Sequence, residues 1–345
     1  TGQHMSGNST HRFTNTTVLA VCAVEAPEVV TSAEFDERLA ETYARVRIRP
    51  GVLERLVGIK ERRWWPAGFS FVDGAVAAGA KALGECGIDA ADIGLMVNTS
   101  VSRRFLEPST AVAVHHGLGL PSSCKNFDIA NACLGFVNGM ELGATMIDAG
   151  VVDYVLVVDG EDSRTIHENT LARLSDPKTT SADLMSEFAA LTLGSGAVAM
   201  VLGRADRHHE GHRLVAAVSR AGTEHHSLCI GDNDMMRTDL KGLLEAGLQL
   251  SEDLWNESSA DFRWTEGIGH YVIHQISQVH TDALCDRLQI QPERVPRTFP
   301  TFGNIGPASV PFTLASTVDR FEDGERVLLM GIGSGLNASV LELIW

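Results

Sequence analysis

Hydrophobic residues along the chain form short continuous runs that alternate with longer stretches of helical spacing. Largely apolar runs at Ile93–Ser100, Tyr154–Asp159 and Arg326–Met330 predict buried strands, because a strand covered on both faces is apolar at successive positions. Phe71–Glu85 and Leu134–Met146 repeat apolar residues every three or four positions and predict helices that pack on one face. Strands that alternate with helices predict an α/β fold with parallel sheets.

This pattern occurs twice, which predicts two similar halves at residues 17–205 and 206–345. A charged segment around the boundary contains His208, His209 and His212. Without further ligands these histidines indicate a solvated hairpin, and we expect no metal site. Residues 1–16 are interpreted as an expression-tag remnant and a disordered start.

Composition limits the partners of the protein. A formal charge of −16 argues against nucleic acid and anionic membrane surfaces, although a local basic patch would suffice for coenzyme A. The six cysteines show no CxxC pair or zinc spacing, which favours reduced thiols in the cytoplasm. No apolar run reaches the length of a membrane span.

Cys133 lies where a strand, Phe127–Ala130, is predicted to give way to the helix that begins near Leu134. Backbone N–H groups and the positive end of the helix dipole meet at such a position and favour a thiolate. A free cysteine is more often a small buried hydrophobic residue, so the position alone does not establish a nucleophile.

Two further polar residues lie at the ends of predicted elements. His274 follows a strand, and Asn304 lies in a glycine-rich turn that enters a helix. Each has a structural alternative, as a core histidine or as a turn residue. Together with Cys133 they form a chemical set, since a thiolate accepts an acyl group while imidazole and amide N–H groups hold a thioester oxygen that gains charge. The Gly331–Gly335 loop adds backbone N–H groups for a second oxyanion.

Charged residues near two other elements are weaker candidates. Glu107 stands next to a predicted helix start, where the helix dipole is a sufficient structural explanation. Arg62 and Arg63, in the basic and aromatic segment Gly58–Trp65, are the best local candidates for phosphate contacts. A solvated turn with one packed tryptophan is the alternative for this segment.

Four motifs resemble the condensing enzymes of the thiolase superfamily, and the closest branch is the β-ketoacyl-acyl-carrier-protein synthase III group. The motifs are Ala132-Cys-Leu-Gly-Phe, Val272-Ile-His-Gln, Gly303-Asn-Ile-Gly-Pro-Ala-Ser and Gly331-Ile-Gly-Ser-Gly. The resemblance covers residues 17–345. It implies a thiolase-like five-layer αβαβα fold, a homodimer, and Cys133, His274 and Asn304 as the catalytic residues.

Within the superfamily, the segments Asn98–Thr110 and Asn131–Met140 look like the OleA family, which condenses two long-chain acyl-CoA molecules head to head. That resemblance implies that Glu107 enters the active site of the partner subunit as the base. It also implies an oxyanion hole from the backbone N–H groups of Cys133 and Ser334, with coenzyme A thioesters as substrates and no resident cofactor.

The implied product is a 2-alkyl-3-oxo acid, the first intermediate of long-chain olefin synthesis, which downstream enzymes of that pathway would receive. The main alternative is decarboxylative condensation with a malonyl carrier protein, as in the synthase III branch. A non-catalytic partner subunit and an enzyme of β-lactone assembly are further alternatives. Leu56 and Gly194-Ser-Gly-Ala depart from the synthase III pattern, where an arginine and Gly-Asp-Gly-Ala are usual.

Overall fold

The computed structural model describes residues 9–345, in which strands and helices alternate as predicted. The strands are β1 (Thr10–Arg12), β2 (Thr16–Glu25), β3 (Glu28–Thr31), β4 (Glu61–Trp64), β5 (Leu95–Asn98), β6 (Lys125–Asp128), β7 (Tyr154–Glu161), β8 (Gly196–Arg204), β9 (His212–Ala221), β10 (Cys229–Gly231), β11 (Met236–Thr238), β12 (Ile268–Ile273), β13 (Arg326–Gly333) and β14 (Asn337–Ile344). The α-helices are α1 (Ser32–Arg38), α2 (Ala40–Val46), α3 (Phe71–Cys86), α4 (Thr110–Gly117), α5 (Gly135–Asp148), α6 (Arg164–Leu174), α7 (Ser181–Glu187), α8 (Leu240–Phe262), α9 (Gln278–Leu288), α10 (Phe299–Phe302) and α11 (Ser309–Ala315).

The start of the chain differs from the disordered segment predicted for residues 1–16. The proposed tag remnant, Thr1–Met5, lies outside the described residues. Thr10–Arg12 forms β1, which pairs antiparallel with β9 through Thr10 and Val218. This edge pairing satisfies backbone hydrogen bonds that an unstructured segment would leave to water.

The main sheet has ten strands in the order β12-β13-β14-β9-β2-β8-β7-β5-β6, with β1 beside β9. It is mixed, so the prediction of parallel sheets is only partly right. Strand β5 runs parallel to β6 and β7, and β12 runs parallel to β13, whereas the other pairs are antiparallel. A short turn at 334–336 joins β13 to β14, and such a turn can only produce antiparallel neighbours.

Three apolar clusters divide the molecule into five layers. The inward residues of β7, such as Val155 and Val157, pack with α5 and α11 in the central cluster, which also contains Val327 and Leu329 of β13. The opposite face of β7 packs against α3. The opposite face of β13 packs against α8 and α9. The β7 part and the β13 part of the main sheet therefore lie on opposite sides of α5 and α11 and form two separate layers. The order of layers is helix, sheet, helix, sheet, helix, which confirms the thiolase-like αβαβα fold.

The two halves repeat one connectivity. Strands β2, β8, β7 and β5 are adjacent in the first half, and β9, β14, β13 and β12 are adjacent in the same order in the second. The central helix α5 precedes β7, and its counterpart α11 precedes β13. The boundary predicted at residues 205 and 206 falls in the turn between β8 and β9. Over residues 9–345, we find no helix with the length and hydropathy needed to cross a membrane.

Candidate active site

Cys133 lies in a tight turn between β6 and α5, as the sequence predicts. Ala132–Leu134 forms one turn of 3-10 helix, closed by a 3.0 Å hydrogen bond from the Leu134 N–H to the Asn131 carbonyl. Ala132 has a φ of 46°, in the left-handed region that alanine rarely occupies. A strained residue directly before a cysteine is typical of a site at which a nucleophile is held in a fixed orientation.

The pKa of the Cys133 thiol is shifted in the direction opposite to the predicted one. Burial raises the pKa of the Cys133 thiol, and the nearby groups of Glu161, Cys229 and Asp159 raise it further. Desolvation of the charged form therefore outweighs the helix N-terminus that was expected to favour a thiolate. The Cys133 thiol is therefore neutral at rest and must lose its proton to react as a nucleophile.

His274 follows β12 directly and is 3% exposed. Its backbone N–H donates to the Met330 carbonyl at 3.0 Å, which holds the residue at the end of β13. Burial lowers the pKa of His274 to about 3, with a smaller contribution from His280. The imidazole is therefore neutral near pH 7 and offers one N–H donor without a charge.

A small enclosed cavity of about 20 Å³ lies behind His274. His274, His280 and Ser339 are among its lining residues. Among the described residues, the Nδ1 atoms of both histidines are buried without a hydrogen-bond partner. This volume is comparable to that needed for one water molecule.

Asn304 lies in the loop between α10 and α11, and three hydrogen bonds fix its position. Its backbone N–H donates to the Thr192 carbonyl at 2.9 Å, and its carbonyl accepts from the Gly194 N–H at 2.9 Å. Its side-chain Oδ1 accepts from the Gly306 N–H at 2.8 Å. Because the oxygen is held in this way, the Nδ2 amide becomes the donor end of the side chain.

Two glycines allow the segments of this site to approach closely. A side chain at Gly194 would place its Cβ 2.0 Å from the Phe302 carbonyl oxygen. A Cβ at Gly333 would lie 3.2 Å from the backbone nitrogen of Cys133. The end of β13 therefore touches the Cys133 turn, and Ser334 is the next residue. The predicted role of Ser334 in an oxyanion hole stays a prediction.

Glu107 lies apart from these residues in the single chain. It belongs to the loop between β5 and α4, and its side chain is exposed. Val101, Phe105 and Leu106 of the same loop are also exposed, and Leu106 is 96% exposed. Within residues 9–345, no hydrogen bond joins Glu107 to Cys133, His274 or Asn304. The predicted action across a dimer stays a prediction.

The prediction that Arg62 contacts coenzyme A is wrong. Its side chain is fully buried and donates to Ser32 Oγ at 3.0 Å and to the Leu191 carbonyl at 2.9 Å. The guanidinium also lies 4.7 Å from the centre of the Phe35 ring. Burial lowers the pKa of Arg62 to about 10. This arginine anchors the paired strands β3 and β4 to the segment before β8 and cannot reach a phosphate.

Arg63 points to the other side of the same strand, as alternation along a strand requires. It is partly buried, pairs with Glu61 at 3.0 Å, and lies 5.0 Å from the centre of the Phe302 ring. Phe302 precedes the Asn304 loop, so Arg63 is close to the candidate site. Its contact with coenzyme A stays a prediction.

The sequence analysis missed two buried acids at the end of β7, Asp159 and Glu161. Asp159 Oδ2 accepts from Thr99 Oγ1 at 2.6 Å. Burial and the neighbouring Glu161 raise the pKa of Asp159 well above its ordinary value, and burial also raises the pKa of Glu161. The available signal was the position of both acids at the carboxyl end of a buried strand, where α/β folds place their ligands.

A second missed feature is a chain of polar side chains behind the Cys133 turn. Asn131 Nδ2 donates to Asn138 Oδ1 at 2.6 Å, and Asn138 Nδ2 donates to Glu141 Oε2 at 2.9 Å. Asn337 Nδ2 donates to Asn131 Oδ1 at 3.3 Å. The network ties the residue before Ala132 to helix α5 and to β14, so it supports the strained turn.

This arrangement can perform acyl transfer and carbonyl condensation. Cys133 supplies a nucleophile that can carry an acyl group, while neutral His274 and the Asn304 amide supply two hydrogen-bond donors for a developing oxyanion. Gly333, the last residue of β13, lies against the Cys133 turn. A nucleophile and oxyanion donors are the groups that a condensing enzyme needs.

Comparison with known proteins agrees with this class. Residues 127–222 match the family model of 3-oxoacyl-[acyl-carrier-protein (ACP)] synthase III, and residues 263–344 match the model of its C-terminal region. An acyl-CoA:acyl-CoA alkyltransferase of Xanthomonas campestris is 42% identical over 336 residues, which cover 96% of this chain and 99% of that protein. An alkyltransferase of Shewanella oneidensis is 37% identical over 93% of this chain and 96% of that protein.

A solved structure extends the similarity to the whole fold. The crystal structure of an OleA variant from Xanthomonas campestris with bound lauric acid and lauroyl-CoA matches with a TM-score of 0.95 and 42% identity. The match covers 96% of this chain and 100% of that chain. The fold and the site define a condensing acyltransferase of the thiolase superfamily. Within that class, the chain belongs to the acyl-CoA:acyl-CoA alkyltransferase family, the family of OleA.

Replacement of Asn304 by aspartate tests the donor role of the amide. Aspartate keeps an oxygen for the Gly306 N–H but places a second oxygen where Nδ2 stands, so it opposes an oxyanion. We expect the condensation rate to fall roughly 10²- to 10³-fold, the usual effect of losing one oxyanion donor. The measurement is the rate of condensed product from lauroyl-CoA, with unfolding temperature as the control. An unchanged rate would exclude Asn304 from the oxyanion site.

Replacement of His280 by glutamine tests the buried, neutral imidazole. Burial lowers the pKa of His280 to about 4, below its ordinary value of 6.5, so the folded state prefers the neutral form. Its contribution to stability is complete above pH 6.5 and is lost as the pH falls towards 4. Between pH 7 and 4, the wild type should lose roughly 3 kcal/mol more unfolding free energy than the variant. Urea unfolding at both pH values measures this difference, and identical losses would contradict it.

Proposed function

We propose that this protein condenses two long-chain fatty acyl-CoA molecules head to head, without decarboxylation, to a 2-alkyl-3-oxo acid. The observation that carries the proposal is that the Cys133 turn packs against Gly333 at the end of β13 and against the Gly306–Ala308 turn that follows Asn304, while His274 follows β12, the strand beside β13. The family of the chain supports the same reaction.

The first half-reaction loads Cys133. Its sulfur attacks the carbonyl carbon of the first acyl-CoA, and the backbone N–H groups of Cys133 and Ser334 stabilise the oxyanion. The C–S bond to coenzyme A breaks, and the proton lost by the thiol leaves with coenzyme A. Because the Cys133 thiol is neutral at rest, proton transfer accompanies the attack, and the neutral His274 imidazole is able to relay it.

The second half-reaction forms the new C–C bond. The thioester oxygen of the second acyl-CoA accepts hydrogen bonds from His274 and from Asn304 Nδ2. The partner subunit's Glu107 removes an α-proton, and the resulting enolate attacks the acyl group on Cys133. The bond between this acyl group and the Cys133 sulfur breaks, and the sulfur leaves as the thiolate and is reprotonated. Hydrolysis of the product thioester then releases the acid and the second coenzyme A.

A base distinguishes this reaction from the synthase III alternative. A malonyl donor loses a carboxylate and generates its carbanion by decarboxylation, whereas an unactivated acyl chain must lose an α-proton. The ordinary pKa of a glutamate is about 4.3, so proton removal depends on stabilisation of the enolate by His274 and Asn304. Side chains and backbone N–H groups supply this chemistry, and the proposal needs no resident cofactor.

The proposal includes a homodimer. Val101, Phe105 and Leu106 expose apolar side chains on the loop that carries Glu107, and burial of such a patch against a second subunit is favourable. That contact would bring Glu107 to the partner's active site. Arg63 is retained as a candidate for the phosphates of coenzyme A. We place the enzyme in the cytoplasm, where its six free cysteines stay reduced, and expect olefin-pathway enzymes to use its product.

A substrate test decides between the two condensations. Purified enzyme receives lauroyl-CoA alone, or lauroyl-CoA with malonyl-carrier protein, and mass spectrometry identifies the products. Under the proposal, lauroyl-CoA alone gives the C24 β-keto acid, or the ketone formed from it by loss of CO₂. A product that appears only with the malonyl donor would favour the synthase III reaction.

A further inference from the structure

Glu161 closes the base of the loop that carries Glu107. It is the last residue of β7, and it is 6% exposed. Its Oε1 accepts from the Val101 N–H at 2.8 Å, and its Oε2 accepts from the Ser102 N–H at 2.9 Å and from Ser102 Oγ at 2.6 Å. One carboxylate therefore receives three hydrogen bonds from two consecutive residues.

A second carboxylate holds the other end of this loop. Asp128, the last residue of β6, accepts from the backbone N–H groups of Thr110 and Ala111 at 2.9 and 2.8 Å. These two residues begin α4, directly after the loop. Residues 101–109 are thus clamped at both ends by acids on β7 and β6, the two strands that flank β5, and Glu107 lies between the clamps.

Glu161 also faces the active site of its own subunit. A Cβ at Gly306 would lie 3.9 Å from the Glu161 carboxyl carbon, and the Gly306 N–H is the group that holds Asn304 Oδ1. After burial, Glu161 makes the largest contribution to the raised pKa of the Cys133 thiol. The same side chain therefore contacts the loop that carries Glu107 and borders the Cys133 site.

We propose that Glu161 is a positioning residue that fixes the Glu107 loop of its own subunit and thereby serves the active site of the partner subunit. This inference rests on the proposed function, in which Glu107 acts across the dimer. Glu161 touches no substrate in this proposal. Its effect on catalysis passes through the geometry of Glu107.

The first test is Glu161→Gln. Glutamine has the same shape, but its NH₂ group must face either the Val101 N–H or the Ser102 donors, which replaces hydrogen bonds by a donor–donor contact. We expect condensation to fall about 100-fold, the typical cost of a small misplacement of a catalytic group. Acylation of Cys133 by lauroyl-CoA, measured as adduct mass, should remain within threefold of wild type.

Asp128→Asn provides a second variant at the far clamp, remote from Glu161. Like Glu161→Gln, the Asp128→Asn variant should retain acylation and lose condensation. Ser102→Ala removes only the hydroxyl contact and should give a smaller loss, about tenfold. Glu210→Gln, in the exposed turn between β8 and β9, is the matched control and should leave both steps unchanged.

Heterodimers distinguish a role of Glu161 in the active site of the partner subunit from a role in the active site of its own subunit. Two differently tagged subunits are co-expressed, and one carries Cys133→Ala, so that only the other subunit can be acylated. With Glu161→Gln added to the Cys133→Ala subunit, we expect condensation to fall about 100-fold. With Glu161→Gln on the subunit that keeps Cys133, we expect condensation to stay within threefold of the Cys133→Ala/wild-type heterodimer.

The opposite pattern, with loss only when Glu161→Gln and Cys133 share a subunit, would overturn the inference and assign Glu161 to its own active site. Equal losses in both arrangements would also overturn it. Glu107→Gln in the same two arrangements calibrates the assay for action across the dimer. Failure of the wild-type homodimer to condense lauroyl-CoA would instead contradict the proposed function, so the two failures are distinguishable.

Discussion

Cys133→Ala is expected to abolish both the release of coenzyme A and the formation of product. The substitution removes the only atom of the site that can form the acyl thioester, while alanine fits the space of the thiol and leaves the turn intact. We expect turnover to fall by at least roughly four orders of magnitude, as for other enzymes that lose their nucleophile. Mass spectrometry should show no acyl adduct after incubation with lauroyl-CoA.

Cys86→Ala is the matched control for this experiment. Cys86 ends α3 and packs at the edge of the apolar cluster between α3 and the sheet, and its thiol donates to the Leu83 carbonyl at 3.7 Å. The control variant should retain normal turnover and one acyl adduct per subunit. An acyl adduct on the Cys133→Ala protein would show that another residue is the nucleophile and would remove the foundation of the proposed mechanism.

Glu107→Gln is expected to separate the two half-reactions. The amide cannot accept an α-proton, so condensation should fall by roughly 10²- to 10⁴-fold, the usual contribution of a general base. Loading of Cys133 needs no such base and should continue. Rapid-mixing measurements should therefore show a burst of one coenzyme A per subunit, followed by almost no further release.

Two outcomes would contradict this prediction. Normal turnover of Glu107→Gln would place the base elsewhere, and loss of the burst would show that Glu107 is needed for acylation. Glu107→Asp keeps the carboxylate but shortens its reach, so it should recover part of the condensation rate. Oligomeric state must be measured for each variant, because this loop is also the proposed subunit contact.

The candidate site residues were accessible from sequence because their positions depend on local pattern. Cys133, His274 and Asn304 each lie where an apolar element ends. Such an end is visible in the sequence as a change in the spacing of apolar residues. The family motifs around them then supplied roles that the pattern alone left open. The structure places Cys133 and Asn304 in the predicted turns and His274 directly after its predicted strand.

The errors arose where the result depends on contacts between distant segments. The basic segment around Arg62 and Arg63 shows no difference between the two arginines, and only the pairing of β3 with β4 decides that Arg62 points inward. The predicted strand ended at Asp159, so Glu161 lay outside it, and nothing local marked Glu161 because its donors lie about 60 residues earlier in the chain. The thiol pKa was predicted from the helix N-terminus, while the amount of burial that opposes it depends on the complete fold.

The repeated connectivity of the two halves has a consequence for the history of this enzyme. The Cys133 turn leads into α5 and then β7, and the Asn304 loop leads into α11 and then β13, so both residues occupy the same position in their respective repeats. If the halves descend from one duplicated ancestor, a single ancestral position gave rise to Cys133 in one copy and to Asn304 in the other. Under the proposed function, two equivalent loops then supply complementary groups, the nucleophile and an oxyanion donor, to one reaction.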